Sequence, residues 1–420
     1  MLDEPLDLPC GLRLPNRLVR AAMTESLADR GHEPSDRLRR LYTETCAAGA
    51  GLVLTGNVMV DRRHLERSRN VVVDATTDRE ALRRWAESCA AAPTFVQLSH
   101  PGRQTSRFVN PHPVAPSAGP AVALAGLFAA PRALTRPEVG ELRDRFVDAG
   151  RRLVTAGFPG VQVHGAHGYL LSSFLDPRHN QRDDEYGGDL AGRARLLLEI
   201  VEGLRQVLPR EAGVAVKLDS RDGGLDDLVR LVGLLESAGV DLVEVSGGSY
   251  EDPAMVGLDA DGRPLETGPQ ESPFSAAAVA VAAATTVPVV LTGGFLTRAA
   301  MERTLGAGVA AVGAGRPLAV RPRLAGELVR AEADSLDRPA PRLGGPTWFR
   351  RTVGVSAGPG WHRLQLARTA AGRPPALRLP ALLAAADYAA LDSARALVER
   401  RSRMRRADLA DRRSAPTLRR

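Results

Sequence analysis

The sequence Val161-Gln-Val-His-Gly-Ala-His-Gly-Tyr-Leu-Leu171 joins a short, apolar, β-branched strand to a loop of polar and glycine residues. In a (β/α)8 barrel, functional side chains lie at the C-terminal ends of the strands, where such a change occurs. The spacing allows His164 and His167 to converge on one oxygen atom. Tyr169, two residues further on, can supply a proton. The same pattern also fits two buried structural histidines or a metal pair. The segment holds no Asp or Glu to complete a metal set, which weakens the metal interpretation.

The rest of the chain repeats a short β-rich run followed by an amphipathic helix, which is typical of parallel α/β folds. Eight such runs begin near residues 18, 51, 94, 161, 214, 242, 287 and 309. The repeat predicts a (β/α)8 TIM barrel over residues 1–335. A proline-rich loop follows the third strand and reaches about residue 137. Loops of this length usually bind or cover a ligand.

The repeat ends near residue 335, and two further segments are predicted beyond it. Residues 336–398 are expected to form a C-terminal extension, packed on the barrel or on a partner subunit. Residues 399–420 are expected to be a basic, disordered tail. Residues 400–420 contain nine arginines and two aspartates, a difference of seven positive charges that accounts for the whole net charge of +7. The body of the chain is therefore neutral, which argues against a nucleic-acid partner.

The composition, 44% hydrophobic and 25% charged residues, is typical of a globular protein. No apolar run approaches the ~20 residues of a membrane span, so no membrane partner is expected. The acidic N-terminus has no signal-peptide pattern, and a cytoplasmic location is expected. Three widely separated cysteines, Cys10, Cys46 and Cys89, argue against a disulfide framework, a zinc site or an iron–sulfur cluster. A homo-oligomer remains possible.

Two of the predicted strands end in glycine turns. Gly293 and Gly294 follow the seventh strand, and Gly315 and Arg316 follow the eighth. Backbone N–H groups in such turns can approach an anion closely, and these two loops commonly bind phosphate in barrels. The turns therefore indicate a phosphorylated cofactor or substrate, although ordinary tight turns would have the same sequence.

Polar residues lie at the same level on three other strands: Thr24 on the first, Gln97 on the third and Lys217 on the fifth. Lys217 is the single lysine among 56 basic residues, so its position is a candidate for one that needs a compact ammonium group. Together the three side chains suit a flat, hydrogen-bonding ring across the mouth of the barrel. Taken singly, each fits a structural role equally well.

Seven segments, in order along the chain, resemble the Old Yellow Enzyme group of FMN-dependent ene-reductases, also called the NADH:flavin oxidoreductase family. The H-x-x-H-G-Y-L pattern with Asp184-Glu-Tyr-Gly-Gly188 downstream is specific to it. The resemblance covers about residues 5–325. The segments are residues 14–24, 95–103, 161–175, 184–188, 214–217, 292–295 and 315–317.

The resemblance implies FMN as the cofactor and NADPH or NADH as the reductant. It implies reduction of an activated C=C bond in a small-molecule substrate. His164 and His167 would bind the substrate oxygen, and Tyr169 would protonate the α-carbon. The implied cofactor-binding residues are Ala22, Met23, Thr24, Gly56, Gln97, Lys217, Gly293, Gly294, Gly315 and Arg316. No metal site is implied.

Two segments depart from the family pattern, and both affect the rim of the pocket and so the substrate range. Residues 219–224 are shorter than expected for close relatives, and residues 271–278 lack the polar and aromatic residues that relatives often carry. Four alternatives stay open: a flavin enzyme that acts oxidatively or as an isomerase, a dehydrogenase with an iron–sulfur cluster, a metal-dependent hydrolase using His164 and His167, and a non-catalytic flavin-binding protein.

Overall fold

The computed structural model describes residues 1–123, 126–220, 224–248, 272–337, 339 and 343–414. Within these residues, eight parallel strands pair in chain order and the last pairs with the first, so the sheet closes into a barrel. The predicted (β/α)8 fold is confirmed. The strands are β1 (Leu18–Arg20), β2 (Leu52–Leu54), β3 (Thr94–Ser99), β4 (Gly160–Gly165), β5 (Gly213–Asp219), β6 (Leu242–Ser246), β7 (Val289–Thr292) and β8 (Ala311–Ala314).

Helices surround the barrel, and several begin where a polar residue caps the first turn. The Ser35 hydroxyl accepts a first-turn N–H, and Thr135 and Glu138 form a capping box. The helices between the strands are α1 (Asp36–Cys46), α2 (Arg79–Ser88), α3 (Arg136–Thr155), α4 (Leu190–Val207), α5 (Leu225–Ser237), α6 (Ser275–Ala283) and α7 (Arg298–Gly306). Shorter helices are Leu170–Leu175, Arg316–Val320 and Leu324–Val329.

The two-residue alternation of the strands divides the core into two parts. Outward side chains such as Val96 and Val163 belong to one large apolar cluster under the helices. Inward side chains such as Phe95 and Leu242 form a second apolar cluster together with the N-terminal hairpin of residues 6–14. The next inward positions along these strands are polar. The chemistry of the barrel is therefore concentrated at the C-terminal ends of the strands.

The long loop after β3 contains a two-stranded ladder, Val114–Ala115 paired with Arg132–Ala133, just before α3. The two segments that depart from the family pattern, residues 219–224 and 271–278, lie partly outside the described residues. Residues 221–223 and 249–271 are not described. Among the described helices, none combines the length and apolar character that crossing a bilayer requires.

The C-terminal extension contributes further helices that contact the barrel. Trp361 is fully buried and packs with Val320 and Ala384. Arg37 of α1 donates to the carbonyl oxygen of Ala367 at 2.9 Å. The helices are α8 (Thr347–Thr369), α9 (Ala381–Ala386) and α10 (Asp392–Ser414), with a π-helical turn, Asp387–Leu391, between the last two.

The described part of the basic tail is helical rather than disordered, because α10 continues to Ser414. Four buried residues, at spacings of seven, four and three positions, share one face of this helix. They are Ala396, Arg403, Ala407 and Ala410. Arg403 donates to the carbonyl oxygen of Val109 at 2.6 Å. Because arginines separate the alanines, the composition of this segment does not reveal its narrow buried face. Residues 415–420 lie outside the described residues.

Candidate active site

Strand register brings four polar side chains together inside the barrel. β3 and β4 pair Gln97 with Gln162, and β5 and β6 pair Lys217 with Glu244. Lys217 Nζ donates to Glu244 Oε1 at 2.9 Å, and Gln162 Nε2 donates to Glu244 Oε2 at 2.7 Å. Gln97 Nε2 donates to Gln162 Oε1 at 2.6 Å. The four side chains therefore form a continuous chain of hydrogen bonds across the barrel.

Glu244 is fully buried, so its charge needs a partner inside the protein. Lys217 supplies that partner, and the bond uses one of the three N–H donors of its ammonium group. The two charges balance, so Lys217 is part of a neutral pair rather than an isolated cation. Neither Glu244 nor Gln162 was among the predicted site residues. The available signal was a charged residue in the middle of an apolar strand.

His164 is held as a neutral hydrogen-bond donor. The backbone N–H of Ala166 donates to His164 Nδ1 at 3.2 Å, so the proton of the neutral ring lies on Nε2. Burial, with a smaller contribution from Lys217, holds the pKa of His164 well below its usual value. At neutral pH the ring is therefore uncharged and presents an N–H group.

His167 and Tyr169 complete a cluster with His164 at the end of β4. The His167 ring lies 5.1 Å from the His164 ring, and the Tyr169 ring lies 4.9 Å from it, between centroids. His167 adopts a positive φ of 64°, which is uncommon outside glycine and turns the chain sharply. Its Nε2 lies 3.3 Å from Ser246 Oγ. Burial, Lys217 and His164 hold the pKa of His167 well below its usual value.

A cavity of about 190 Å³ opens beside Tyr169. Its lining residues are Met23, Thr24, Glu66, Tyr169 and Arg316 from the barrel and Gly358, Pro359, His362, Arg363, Leu366 and Tyr388 from the extension. The loops after β1, β2, β4 and β8 thus meet in one space, and the C-terminal extension forms its outer wall. His164 does not line the cavity but adjoins it through its ring contact with Tyr169, and Lys217 pairs with His164 in register.

Glu66 enters this cavity from the loop after β2, and the sequence did not single it out. Its Oε1 accepts a hydrogen bond from the Tyr169 hydroxyl at 2.9 Å. Its Oε2 accepts hydrogen bonds from Thr24 Oγ1 and Asn57 Nδ2, each at 2.9 Å. Glu66 is 5% exposed. A glutamate in a loop gives no sequence signal, because most such residues are solvated.

The glycine turn after β7 has a backbone geometry that favours glycine, and the turn after β8 lies next to the loop after β1. Gly293 and Gly294 have positive φ values of 101° and 84°. A Cβ at Gly294 would lie 2.8 Å from the backbone of Ser272, so the turn excludes larger residues. A Cβ at Gly315 would lie 3.5 Å from Met23 Sδ, which brings the turn after β8 next to the loop after β1.

Gly56 and Ala22 lie near the same loops but make structural contacts in this state. Gly56 N donates to Glu25 Oε1 at 2.9 Å, and a Cβ at Gly56 would lie 2.4 Å from the carbonyl oxygen of Met23. Burial raises the pKa of Glu25. Ala22 packs against the apolar cluster inside the barrel. The close approach at Gly56 accounts for a glycine at that position without a ligand.

A group with metal-ligand spacing lies elsewhere in the described chain. Asp61, His64 and His100 have ligand atoms within 4.8 Å of one another. Nδ1 of each imidazole lies within hydrogen-bond distance of a neighbouring N–H donor, which leaves the ring proton on Nε2 when the ring is neutral. Arg63 binds Asp61 through two nitrogens. The Nδ1 atoms and the carboxylate that a cation would need as ligands are therefore already engaged in hydrogen bonds. The cluster fits a structural role better than a metal site.

The barrel, its polar C-terminal end and the histidine–tyrosine cluster define a flavin-dependent barrel oxidoreductase. The sequence matches the NADH:flavin oxidoreductase / NADH oxidase family over residues 2–333. The chain belongs to this family, which confirms the resemblance drawn from the sequence. FMN is therefore its cofactor, and a nicotinamide dinucleotide its reductant.

Several proteins of known name are similar to this chain. The NADH-dependent flavin oxidoreductase iliE of Hypocrea jecorina is 36% identical over 384 residues, covering 84% of this chain and 95% of that protein. Morphinone reductase, solved in complex with tetrahydroNAD, is 25% identical with a TM-score of 0.66, covering 84% and 96% of the two chains. An Old Yellow Enzyme homologue from Zymomonas mobilis has the same identity and TM-score, covering 80% and 94%.

Proposed function

We propose that this chain reduces an activated C=C bond, such as that of an enone, with electrons from NADH or NADPH. The observation that carries the proposal is the cluster of His164, His167 and Tyr169 at the end of β4. It combines neutral N–H donors, which suit a carbonyl oxygen, with a phenol, which suits proton transfer to a neighbouring carbon. Such a combination is what reduction of a polarised alkene requires.

The cavity wall has groups that fit FMN. His362 Nδ1 lies 2.9 Å from the Gly358 carbonyl oxygen and donates to it, and among the described residues its buried Nε2 has no hydrogen-bond partner. Burial, and to a lesser extent Arg316, lower the pKa of His362 to about 4. The neutral ring thus offers an acceptor for a hydroxyl group, and Arg316 lines the same cavity as a cation for phosphate.

The residues proposed to hold FMN fall into three groups. Thr24, Gln97 and Lys217 would bind the polar edges of the ring, Ala22, Met23 and Gly56 would line it, and Gly293, Gly294, Gly315 and Arg316 would hold the phosphate. FMN held by these residues would supply the hydride-transfer chemistry between the dinucleotide and the β-carbon of the substrate. The chain itself binds, orients and exchanges protons.

His164 and His167 are proposed to bind the carbonyl oxygen of the substrate. Negative charge develops on this oxygen as the β-carbon receives hydride, so hydrogen bonds to it strengthen in the transition state. Neutral imidazoles suit this role because they donate hydrogen bonds without transferring a full proton to the oxygen. Tyr169 then supplies a proton to the α-carbon.

The proposal is tested by separating the two half-reactions under anaerobic conditions. The visible spectrum of the purified protein should show flavin bands that bleach on addition of NADH or NADPH and return when an enone such as 2-cyclohexenone is added. The product should be the saturated ketone. Bleaching that no enone, nitroalkene or unsaturated ester reverses would reject the reductase function while leaving the flavin assignment intact.

A further inference from the structure

We propose that Glu66 is the proton-holding partner of Tyr169, so that the two side chains move one proton to and from the α-carbon of the substrate. This inference rests on the proposed function, because it places that carbon beside Tyr169. Glu66 acts through Tyr169 and is therefore a positioning and proton-storing residue. It lies in the loop after β2, outside the seven segments that resemble the family.

The polarity of one hydrogen bond is the first argument. The Tyr169 hydroxyl lies 2.9 Å from Glu66 Oε1. The hydroxyl is the donor in this bond, so the single phenol proton lies between the two oxygen atoms. Tyr169 therefore cannot deliver its proton to a substrate carbon without affecting Glu66. Loss of that proton from an isolated pair would leave a phenolate beside a carboxylate, and two such anions in contact repel strongly in a buried site.

The second argument is that the surroundings hold the Glu66 carboxylate in place beside Tyr169. Thr24 Oγ1 and Asn57 Nδ2 both donate to Glu66 Oε2 at 2.9 Å. The neighbouring Leu65 is fully buried, and its carbonyl oxygen accepts from Thr105 Oγ1 at 2.6 Å. On the other side, the Arg67 guanidinium lies 3.3 Å from the centroid of a tyrosine ring of the extension.

The loop that carries Glu66 is also fixed by a buried ion pair. Arg62 Nε donates to Asp74 Oδ2 at 2.8 Å, and the Arg62 side chain is 1% exposed. A buried arginine bound to a carboxylate in this way closes the loop between residues 62 and 74. Glu66 is thus held near Tyr169 by contacts on both sides, as a proton-transfer partner must be.

The proton balance is the same in both directions. When the α-carbon loses a proton, its C–H bond breaks, an O–H bond forms at Tyr169, and the former phenol proton passes to Glu66. The electron pair of the C–H bond becomes the enolate pair, whose oxygen the two histidines bind. In the reverse direction, Glu66 first takes a proton from solvent, and returns it to Tyr169 as Tyr169 gives its own to carbon. Neither direction needs an oxidant or reductant.

The test measures this proton transfer without NADH. The FMN-loaded protein, with oxidised flavin, is incubated with cyclohexanone in D₂O, and deuterium at the α-carbon is followed by NMR. Glu66→Gln keeps the shape of the side chain but cannot store a proton. It should slow the exchange about 100-fold, in the range of general acid–base catalysis. Its flavin spectrum is recorded before the exchange is measured, so that the two rates are compared at equal FMN loading.

Two further variants control the experiment. Glu80→Gln makes the same chemical change on the exposed surface of α2 and should exchange at the wild-type rate. Asn57→Ala keeps the carboxylate but removes one donor to it, so the acidic limb of the exchange-rate profile should move to higher pH. This second readout decides the matter if Glu66→Gln does not bind flavin.

The outcomes separate this inference from the proposed function. Exchange at the wild-type rate in Glu66→Gln, or a pH profile that Asn57→Ala leaves unchanged, would overturn the role of Glu66 even if enones are reduced normally. No exchange above background with the wild-type protein would overturn it as well. If exchange depends on Glu66 but the protein reduces no alkene, the proton-transfer role of Glu66 and Tyr169 stands and the reductase function is rejected.

Discussion

Lys217 is the single lysine in a chain that has arginine at all 55 other basic positions. Its ammonium group contacts Glu244, which is fully buried between neighbouring strands. A guanidinium group is planar, larger and carries five donors, all of which would need acceptors in this space. The compact ammonium group therefore fits the buried polar chain of the barrel, in agreement with the expectation from the sequence.

The first prediction concerns this pair. Lys217→Met leaves Glu244 charged and without its cation, and should lower the free energy of unfolding by about 3–5 kcal/mol. The double variant with Glu244→Gln should lose less stability than Lys217→Met alone, because no charge is then left buried. Urea denaturation of Lys217→Met, Glu244→Gln and the double variant measures these losses. Losses that simply add in the double variant would show that the two side chains are not coupled.

The second prediction concerns Tyr169. Tyr169→Phe removes the proton donor but not the ring, so reoxidation of the reduced flavin by an enone should slow about 100-fold or more. Bleaching of the flavin by NADH should stay near the wild-type rate. Stopped-flow absorbance resolves both steps. Tyr186→Phe, which removes a hydroxyl bonded to Glu199, is the control and should change neither. Equal slowing of both half-reactions would contradict the role of Tyr169.

At the residue scale, the grouping of side chains could be predicted where the signal is local. His164, His167 and Tyr169 lie within six positions, at the end of a recognisable strand, and the structure gathers them. Glu66 is 103 positions from Tyr169 in the chain, and only the fold brings them together. Glu244 differs again, because a charge within an apolar strand is visible in the sequence but does not reveal which residues pair with it.

At the scale of elements, the barrel strands and helices were predictable because short β-rich runs alternate with amphipathic helical runs along the sequence. The predicted seventh and eighth strands, from about 287 and 309, begin two residues later in the structure. The extension was harder, since α10 buries only a narrow face between arginines. What α8 contributes to the cavity depends on tertiary packing, which no local pattern reveals.

The third prediction tests the role of α8 as the cavity wall. Trp361→Ala should empty a fully buried site and cost about 3–5 kcal/mol of stability in the extension. Because neighbouring residues of α8 line the cavity, binding of phenolic ligands should weaken as well. Trp348→Ala is a matched control on the same helix, where the side chain is 68% exposed. Thermal unfolding and a ligand titration measure both effects, and equal behaviour of the two variants would contradict this role.

At the scale of the whole molecule, burial of histidines links stability to pH. Burial lowers the pKa of His32 to about 3 and of His64 and His362 to about 4. The other histidines with a pKa well below the usual value are His100, His164 and His167. Burial acts in the opposite sense, raising the pKa, on the acids Glu25, Glu33 and Asp241.

The fourth prediction follows from these directions. A histidine whose folded pKa lies below its unfolded value of 6.5 binds protons more readily when unfolded, so its contribution favours folding above pH 6.5 and is lost as the pH falls toward 4. Six such histidines outweigh three acids of opposite sign. The Tm should therefore fall by roughly 5 °C or more between pH 7.5 and pH 5. A Tm that rises over this interval, measured by calorimetry, would contradict the buried, neutral state of these rings.

In the proposed reaction, hydride and proton reach two different carbons of an activated alkene, the hydride from the dinucleotide through the flavin and the proton through Tyr169. The most direct measurement is the position of deuterium in reduced 2-cyclohexenone after a single turnover. With NADH deuterated at the transferable position in H₂O, label should appear at the β-carbon. With ordinary NADH in D₂O, it should appear at the α-carbon. Dinucleotide label at the α-carbon, or solvent label at the β-carbon alone, would contradict the account.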